Sequence, residues 1–239
     1  MAIDLNSMEI HDCPELMDAI RLIGLVPLLD SGIPGFSADE LVAPECRYVV
    51  TDDGWDWPLW NWKGPMVTEG GFAYGKFFNG KAGFVTMDWW PDLCNYRRAR
   101  HPEPDAESVE GTILEILRVN ESMITRDLRA ACGFDGSRMR SRFDAYVTRL
   151  QMACRVVTED FVYPTDKHGR CYGWGWALLT TPEHLFGREA CAAPAAVPGD
   201  GSVPGGGVRS PEESYARLSA HLRSLLPQAS ERQITRLLG

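Results

Sequence analysis

An α+β fold is what this sequence predicts, and three observations predict it. Residues 105–190 read as three amphipathic helices followed by two extended runs. Residues 45–86 read as a small antiparallel sheet on helices, signalled by Asn79-Gly80 between aromatic runs. Residues 211–239 read as two short, capped, leucine-striped helices beyond a segment of Gly, Pro, Ala and Ser. The 239 residues are 44% hydrophobic and 24% charged, enough to bury a real core. They contain no run of about 18 apolar residues, so no membrane span is expected.

The elements follow in chain order. MAIDLNSMEIHDCPEL is acidic and lacks an apolar stretch, which argues against a secretory signal. Seven Cys at scattered spacings then read as reduced thiols in a cytoplasmic protein. A helix from about Pro14 carries Leu16, Ile20 and Ile23. Pro27, in GLVPLLDSGIPGF, is expected to break or end it. Ser37 and Glu40 have capping-box spacing. GWDWPLWNWKGP then holds Trp55, Trp57, Trp60 and Trp62, half of the eight Trp in the chain.

That aromatic cluster has two readings. It is the core of a portion poor in Leu and Ile, or a platform with Tyr74, Lys76 and Lys81 on which a base or flat ligand stacks. Asp52, Asp53 and Asp56 flank it as candidates for acid–base chemistry or a cation site. A loop of solvated carboxylates is the commoner origin of such a run.

In the middle third, Ser108 precedes Val109, Ile113, Ile116 and Leu117, an apolar stripe at helical spacing. Thr125 is placed to cap a second helix, with Leu128 inward and Gly133 as its left-handed end. Asp135 or Ser137 caps a third helix, whose apolar face is Met139, Phe143, Tyr146, Val147, Leu150 and Cys154. Extended runs at 156–163 and 171–179 flank the turn-rich 164–169. Three helices followed by a hairpin is the order of a winged helix-turn-helix.

Charge singles out the third helix. The net charge is -9, yet residues 137–155 carry five Arg and one Asp. Arg138, Arg142 and Arg149 fall on one stripe, beside the small residues Ser141 and Ala145 and beside Thr148. Small residues let a helix approach a groove, and flanking Arg reach phosphates or guanine edges. Lys167, His168 and Arg170 lie at the expected wing tip, and Arg97 and Arg98 add phosphate contacts if they share that face. The opposing reading is a solvated face of ion pairs, since an acidic chain attracts nucleic acid poorly.

The segment 191–210 reads as a flexible linker. Beyond it, Ser210 with Glu213 and Ser230 with Gln233 start two helices. Leu218, Leu222 and Leu225, then Ile234, Leu237 and Leu238, make apolar faces that dock on the same chain, on a partner or on a second copy. The expected organisation is an aromatic α+β portion at 1–104, a winged helix at 105–190, the linker, and the helical tail at 211–239. No metal or cofactor is expected. The five His share no ligand spacing with each other or with Cys, and no Walker, GxGxxG, CxxC or HExxH pattern occurs.

Three stretches resemble the AlkZ-like winged-helix DNA glycosylases, which unhook bulky alkyl adducts and interstrand crosslinks. They are GLVPLLD at 24–30, AYGKFFNGKAGFVTMDWWPDLCNYRR at 73–98, and the winged helix at 108–182 with TTPEHLFG at its close. The resemblance implies double-stranded DNA as partner. It also implies a catalytic strip of Gln-hydrophobic-Gln or Gln-hydrophobic-Asp whose polar ends hold the attacking water. Here those ends are Pro27 and Leu29, neither of which hydrogen-bonds a water through its side chain. Asp30 is one residue out of register. The expected function is therefore DNA binding in repair or regulation without the usual glycosylase chemistry. One alternative is a diverged glycosylase using Asp30 or Asp53. Another is a protein-interaction module that binds no nucleic acid.

Overall fold

The computed structural model describes residues 5–52, 54–134, 136–170, 175–194 and 208–239, with the backbone alone at Asn6, Ser137 and Arg138. It is a mixed helical and sheet structure whose sheets are small and antiparallel. No helix among the described residues is long and apolar enough to cross a membrane.

After a short 3-10 turn at Leu5–Ser7 come α1 (Cys13–Ile23) and β1 (Leu25–Pro27). Two single turns follow, α2 (Ala38–Leu41) and α3 (Pro44–Arg47). A small hairpin of β2 (Val49–Thr51) and β3 (Gly54–Asp56) leads into α4 (Pro58–Glu69). Then come β4 (Phe72–Phe78), β5 (Lys81–Thr86) and α5 (Trp90–Arg100). Strand order in the main sheet of this half is β1-β5-β4. Asn79 and Gly80, at φ 51 and 77, make the two-residue turn that the Asn-Gly pair predicts.

Pro27 does not end α1. The helix stops at Ile23, where Gly24 at φ 88 sends its N–H to the Ile20 carbonyl (2.8 Å). A Cβ there would lie 2.4 Å from the Trp89 ring, so backbone and packing both demand glycine. Pro27 instead sits in edge strand β1 opposite Gly83, where a missing N–H is tolerated.

The second half runs α6 (Val109–Asn120), β6 (Ser122–Ile124), α7 (Thr125–Ala131), α8 (Ser137–Met152), β7 (Val157–Val162), β8 (Trp176–Thr180) and α9 (Pro182–Phe186). Strand order is β6-β8-β7. Strand β6 is invisible to the hydropathy pattern, being three half-buried residues at a helix end. Thr125 is not a cap. Ile124 occupies that position, and the Thr125 hydroxyl donates to the Ala177 carbonyl (2.9 Å), tying α7 to β8. Gly136 stands at the N-cap of α8, and the two expected caps, Asp135 and the Ser137 side chain, lie outside the described residues.

Two apolar clusters result. Ile113, Leu117, Leu128, Phe143, Leu150 and Leu179 form one between α6, α7, α8 and the β6-β8-β7 sheet. The other is larger and joins α1, the β1-β5-β4 sheet and α5 to α10 (Pro211–Leu225) and α11 (Glu231–Leu238). Cys154, expected on the inner face of the third helix, lies beyond its end at φ 55 and belongs to this larger cluster.

Both tail helices start with complete capping boxes, at Ser210 with Glu213 and at Ser230 with Gln233. Leu218, Leu222, Leu225, Ile234, Leu237 and Leu238 are all buried in the larger cluster. The apolar faces that made the tail a candidate for a partner or self-association are filled by its own chain. Of the expected linker, residues 195–207 lie outside the described residues. Its ends are anchored, because Cys191 and Arg209 are both buried.

Candidate functional site

The cationic helix face is narrower than the sequence predicts. On α8, Arg140, Ser141, Arg142 and Ala145 are exposed, and neither Arg140 nor Arg142 forms an ion pair with a described residue. The Arg138 side chain lies outside the described residues. Arg149 is exposed but committed. Its guanidinium grips Glu110 Oε1 at 2.6 and 2.9 Å and lies 4.5 Å over the Tyr146 ring. Thr148 faces the first half of the chain, accepting from Lys76 Nζ at 3.2 Å.

Lys167 and Arg170 are exposed in the loop after β7, as expected. Asp166 organises that loop. Its carboxylate accepts the N–H groups of Arg170 (2.9 Å) and His168 (2.8 Å) and meets Arg170 Nε at 3.2 Å. The Arg170 backbone bond first, with His168 and the Arg170 side chain, holds that carboxyl below its ordinary range. The loop thus carries an anion among its cations.

Arg97 and Arg98 are not surface contacts. Arg97 is 1% exposed and donates to the carbonyls of Met152 (2.6 Å) and Phe77 (2.8 Å). Arg98 donates to the Cys154 carbonyl (2.7 Å) and to Glu183 (2.5 Å). Both guanidiniums serve the C-terminal end of α8, where unpaired carbonyls attract cations. A run of basic residues reads as a surface patch; only the tertiary fold turns it inward.

The tryptophans form a ladder, not a sheet-borne platform. Trp60 and Trp62 are on α4, an element hidden from the sequence pattern because Pro58 opens it and Pro65 lies inside it. Trp55 is 70% exposed on β3 and meets Tyr48 edge-on at 6.1 Å. Trp57 stacks on Tyr48 and, at 5.5 Å, on Trp60, while its Nε1 donates to Asp39 (3.2 Å). Trp57 and Trp62 pack half-buried against the larger core. Trp57 and Trp62 thus serve the core, as the first reading of the cluster expects.

Trp60 forms a wall of a cavity of about 360 Å³ with Leu28, Leu29, Asp30, Tyr74 and Lys81. A second space of about 260 Å³ shares Tyr74 and Ala82 with it and reaches Lys76, Gln151 and Phe161. Of the expected pocket residues, Trp60, Tyr74 and Lys76 come together here, whereas Trp55, Trp57 and Trp62 line neither space. Asp53 lies outside the described residues, and Asp56 accepts from Asn61 Nδ2 at 2.9 Å. Asp30 accepts the Gly32 N–H (2.8 Å) and sits 3.5 Å from Lys81 Nζ. Those two contacts, the backbone one first, hold its carboxyl below the ordinary range. Asp30 is therefore an anion at neutral pH, suited to stabilising positive charge and not to donating a proton. Leu29, at one polar position of the implied strip, presents only hydrocarbon to this cavity.

Lys63, on α4, carries no sequence signal and is 1% exposed. Its Nζ lies 3.1 Å from the Trp60 ring centre and 4.3 Å from that of Phe161. Burial pushes its pKa down from 10.5 to about 8, and the two ring faces offset part of the cost of burying the cation. Below the folded pKa both states are charged and the native state carries the whole burial cost. Between about 8 and 10.5 the native state loses its proton first, so stability rises with pH. Lys63→Met is expected to stabilise the protein by about 1–2 kcal/mol at neutral pH, a gain that shrinks as pH rises through that window. Urea midpoints of both proteins across the window measure it, and an unchanged difference would refute the burial cost.

Among the described residues, no group of three or more His, Cys, Asp or Glu is arranged to hold a metal ion. No curated protein and no solved structure matches this chain. The family model described as AlkZ related matches residues 10–239, nearly its whole length, and the chain belongs to that family.

Proposed function

We propose that this AlkZ-related chain binds duplex DNA in repair or regulation, without the glutamine-based hydrolysis of the glycosylases it resembles. In this reading α6 to β8 is a winged helix. The β6-β8-β7 order supports it, with the strand β6 between the first two helices and the β7–β8 hairpin as wing. Helix α8 enters the major groove by its first half, since its second half is covered by β4 and Lys76. The observation that carries the reading is Arg140 and Arg142, exposed and without an ion-pair partner among the described residues, beside Ser141 and Ala145 on an otherwise acidic protein.

The test is duplex binding followed by fluorescence anisotropy across a salt series. Affinity is expected to fall steeply with salt. The double variant Arg140→Glu/Arg142→Glu is expected to lose binding by more than about tenfold and to flatten the salt slope by roughly one per lost phosphate contact. Equal affinity in the variant would refute the assignment.

The ionised Asp30 at the aromatic cavity favours a second reading, a diverged glycosylase in which Asp30 stabilises an oxocarbenium-like sugar. Base release from an alkylated oligonucleotide, absent in Asp30→Asn, is its expected result. Equal release by the variant would exclude that role.

A further inference from the structure

Three thiols from distant stretches of the chain meet between α5 and the end of α8. Cys94 is on α5, Cys154 follows α8, and Cys191 closes the 3-10 turn Glu189–Cys191. All three are free and buried in the same apolar cluster, and the turn that ends at Cys191 packs directly on α5. Their accessibility differs. Cys94 and Cys154 are fully enclosed, whereas Cys191 is 9% exposed and lines a cavity of about 660 Å³. Arg98, Arg118 and Arg188 line the same cavity together with Glu121 and Glu183, so its wall is charged and polar. The neighbouring Cys94 thiol first, and the charge of Arg98 after it, lower the Cys191 thiol from its ordinary value against the burial and the Glu183 charge that raise it. Burial, and then hydrogen bonding to the other two thiols, raises Cys94. A more acidic, cavity-facing thiol beside a less acidic, enclosed one is the arrangement of an attacking and a resolving cysteine.

We propose that Cys191 and Cys94 are an oxidisable pair, closed to a disulfide by a hydroperoxide that enters through this cavity. The Cys191 thiolate attacks the distal peroxide oxygen. An S–O bond forms, the O–O bond breaks, and the departing oxygen takes up a proton and leaves as water or an alcohol. The Cys94 sulfur then attacks the Cys191 sulfenic sulfur. The S–S bond forms, the S–O bond breaks, and the hydroxide leaves as water with the proton of the Cys94 thiol. Two electrons pass from the thiol pair to one peroxide. The product joins α5 covalently to the segment after α9. Nothing in this depends on whether the chain binds DNA.

The test uses the full chain treated with a stoichiometric amount of hydrogen peroxide, quenched with an alkylating agent and digested without reductant. A peptide linking Cys94 to Cys191 is expected by mass spectrometry, about 2 Da lighter than its two thiol halves and released by dithiothreitol. Cys191→Ser is expected to abolish the link and Cys154→Ser to retain it, in variants whose thermal unfolding shows them folded. Should Cys191→Ser unfold, Cys191→Ala serves the same comparison. Absence of the link in the unaltered protein overturns the proposal. So does a Cys94–Cys154 link that forms equally well without Cys191.

Discussion

Asp92→Asn is expected to destabilise the protein by about 3–5 kcal/mol, the range for breaking a buried ion pair from one side. The carboxylate is 1% exposed on α5 and accepts from Arg209 Nη1 with both oxygens at 3.0 Å. It also accepts from the Ser214 hydroxyl (2.8 Å) and forms an ion pair with Arg217. Arg209 is itself 8% exposed, so the amide would leave a guanidinium buried beside no anion. Asn95 donates to the Arg209 carbonyl and to the Ser214 hydroxyl, both at 2.9 Å, so one face of α5 holds the start of α10 through several bonds. Urea unfolding measures the loss. Glu231→Gln is the control, because its pair with Arg223 is exposed at both ends and its removal is expected to leave the midpoint within error. Equal midpoints for Asp92→Asn and the parent protein would show that the Asp92 charge contributes nothing.

Arg97→Met is expected to cost about 2–4 kcal/mol. The methionine occupies similar volume and removes the expense of a buried cation, which acts through desolvation to lower the Arg97 pKa. Against that gain stand the carbonyls of Phe77 and Met152, left without their donor in a dry interior. Two abandoned acceptors outweigh one relieved charge because the guanidinium already sits at the negative end of α8. Hydrogen exchange adds a signature beyond the midpoint. Arg97 also reaches the Leu237 carbonyl at 3.5 Å, so protection is expected to fall in α11 as well as in β4. Unaltered exchange in α11 would confine the role of Arg97 to the sheet and α8.

Local signals carried much of the architecture. Ser108, Ser210 and Ser230 cap their helices as their spacing predicts, and the Asn79-Gly80 turn lies between β4 and β5. These depend on neighbours a few residues away. Strands β1 and β6, three residues each, form only because β5 and β8 offer them edges. Helix α4 was hidden because tryptophan and proline both favour other states and because its buried Lys63 breaks the apolar stripe.

The candidate site was legible to the same extent. Arg142, Ser141, Lys167 and Arg170 are as exposed as their positions suggest. Arg149 is claimed by Glu110, 39 residues away in sequence, a pairing that no helical spacing rule anticipates. Trp60 and Tyr74 share a cavity with Asp30 because β1 and β4 flank β5 in one sheet.

The larger core also sets an order of events during synthesis. Its inner wall is laid down by α1, β4 and β5, but Leu218, Leu222, Ile234 and Leu237 arrive only with α10 and α11. A nascent chain in which residues 209–239 are still unmade has no guanidinium for Asp92 and no lid for its sheet. The unit from α6 to β8 has an apolar cluster of its own and can settle at that stage. The portion from α1 to α5 must therefore wait for α10 and α11, and in that interval it is the part most in need of a chaperone.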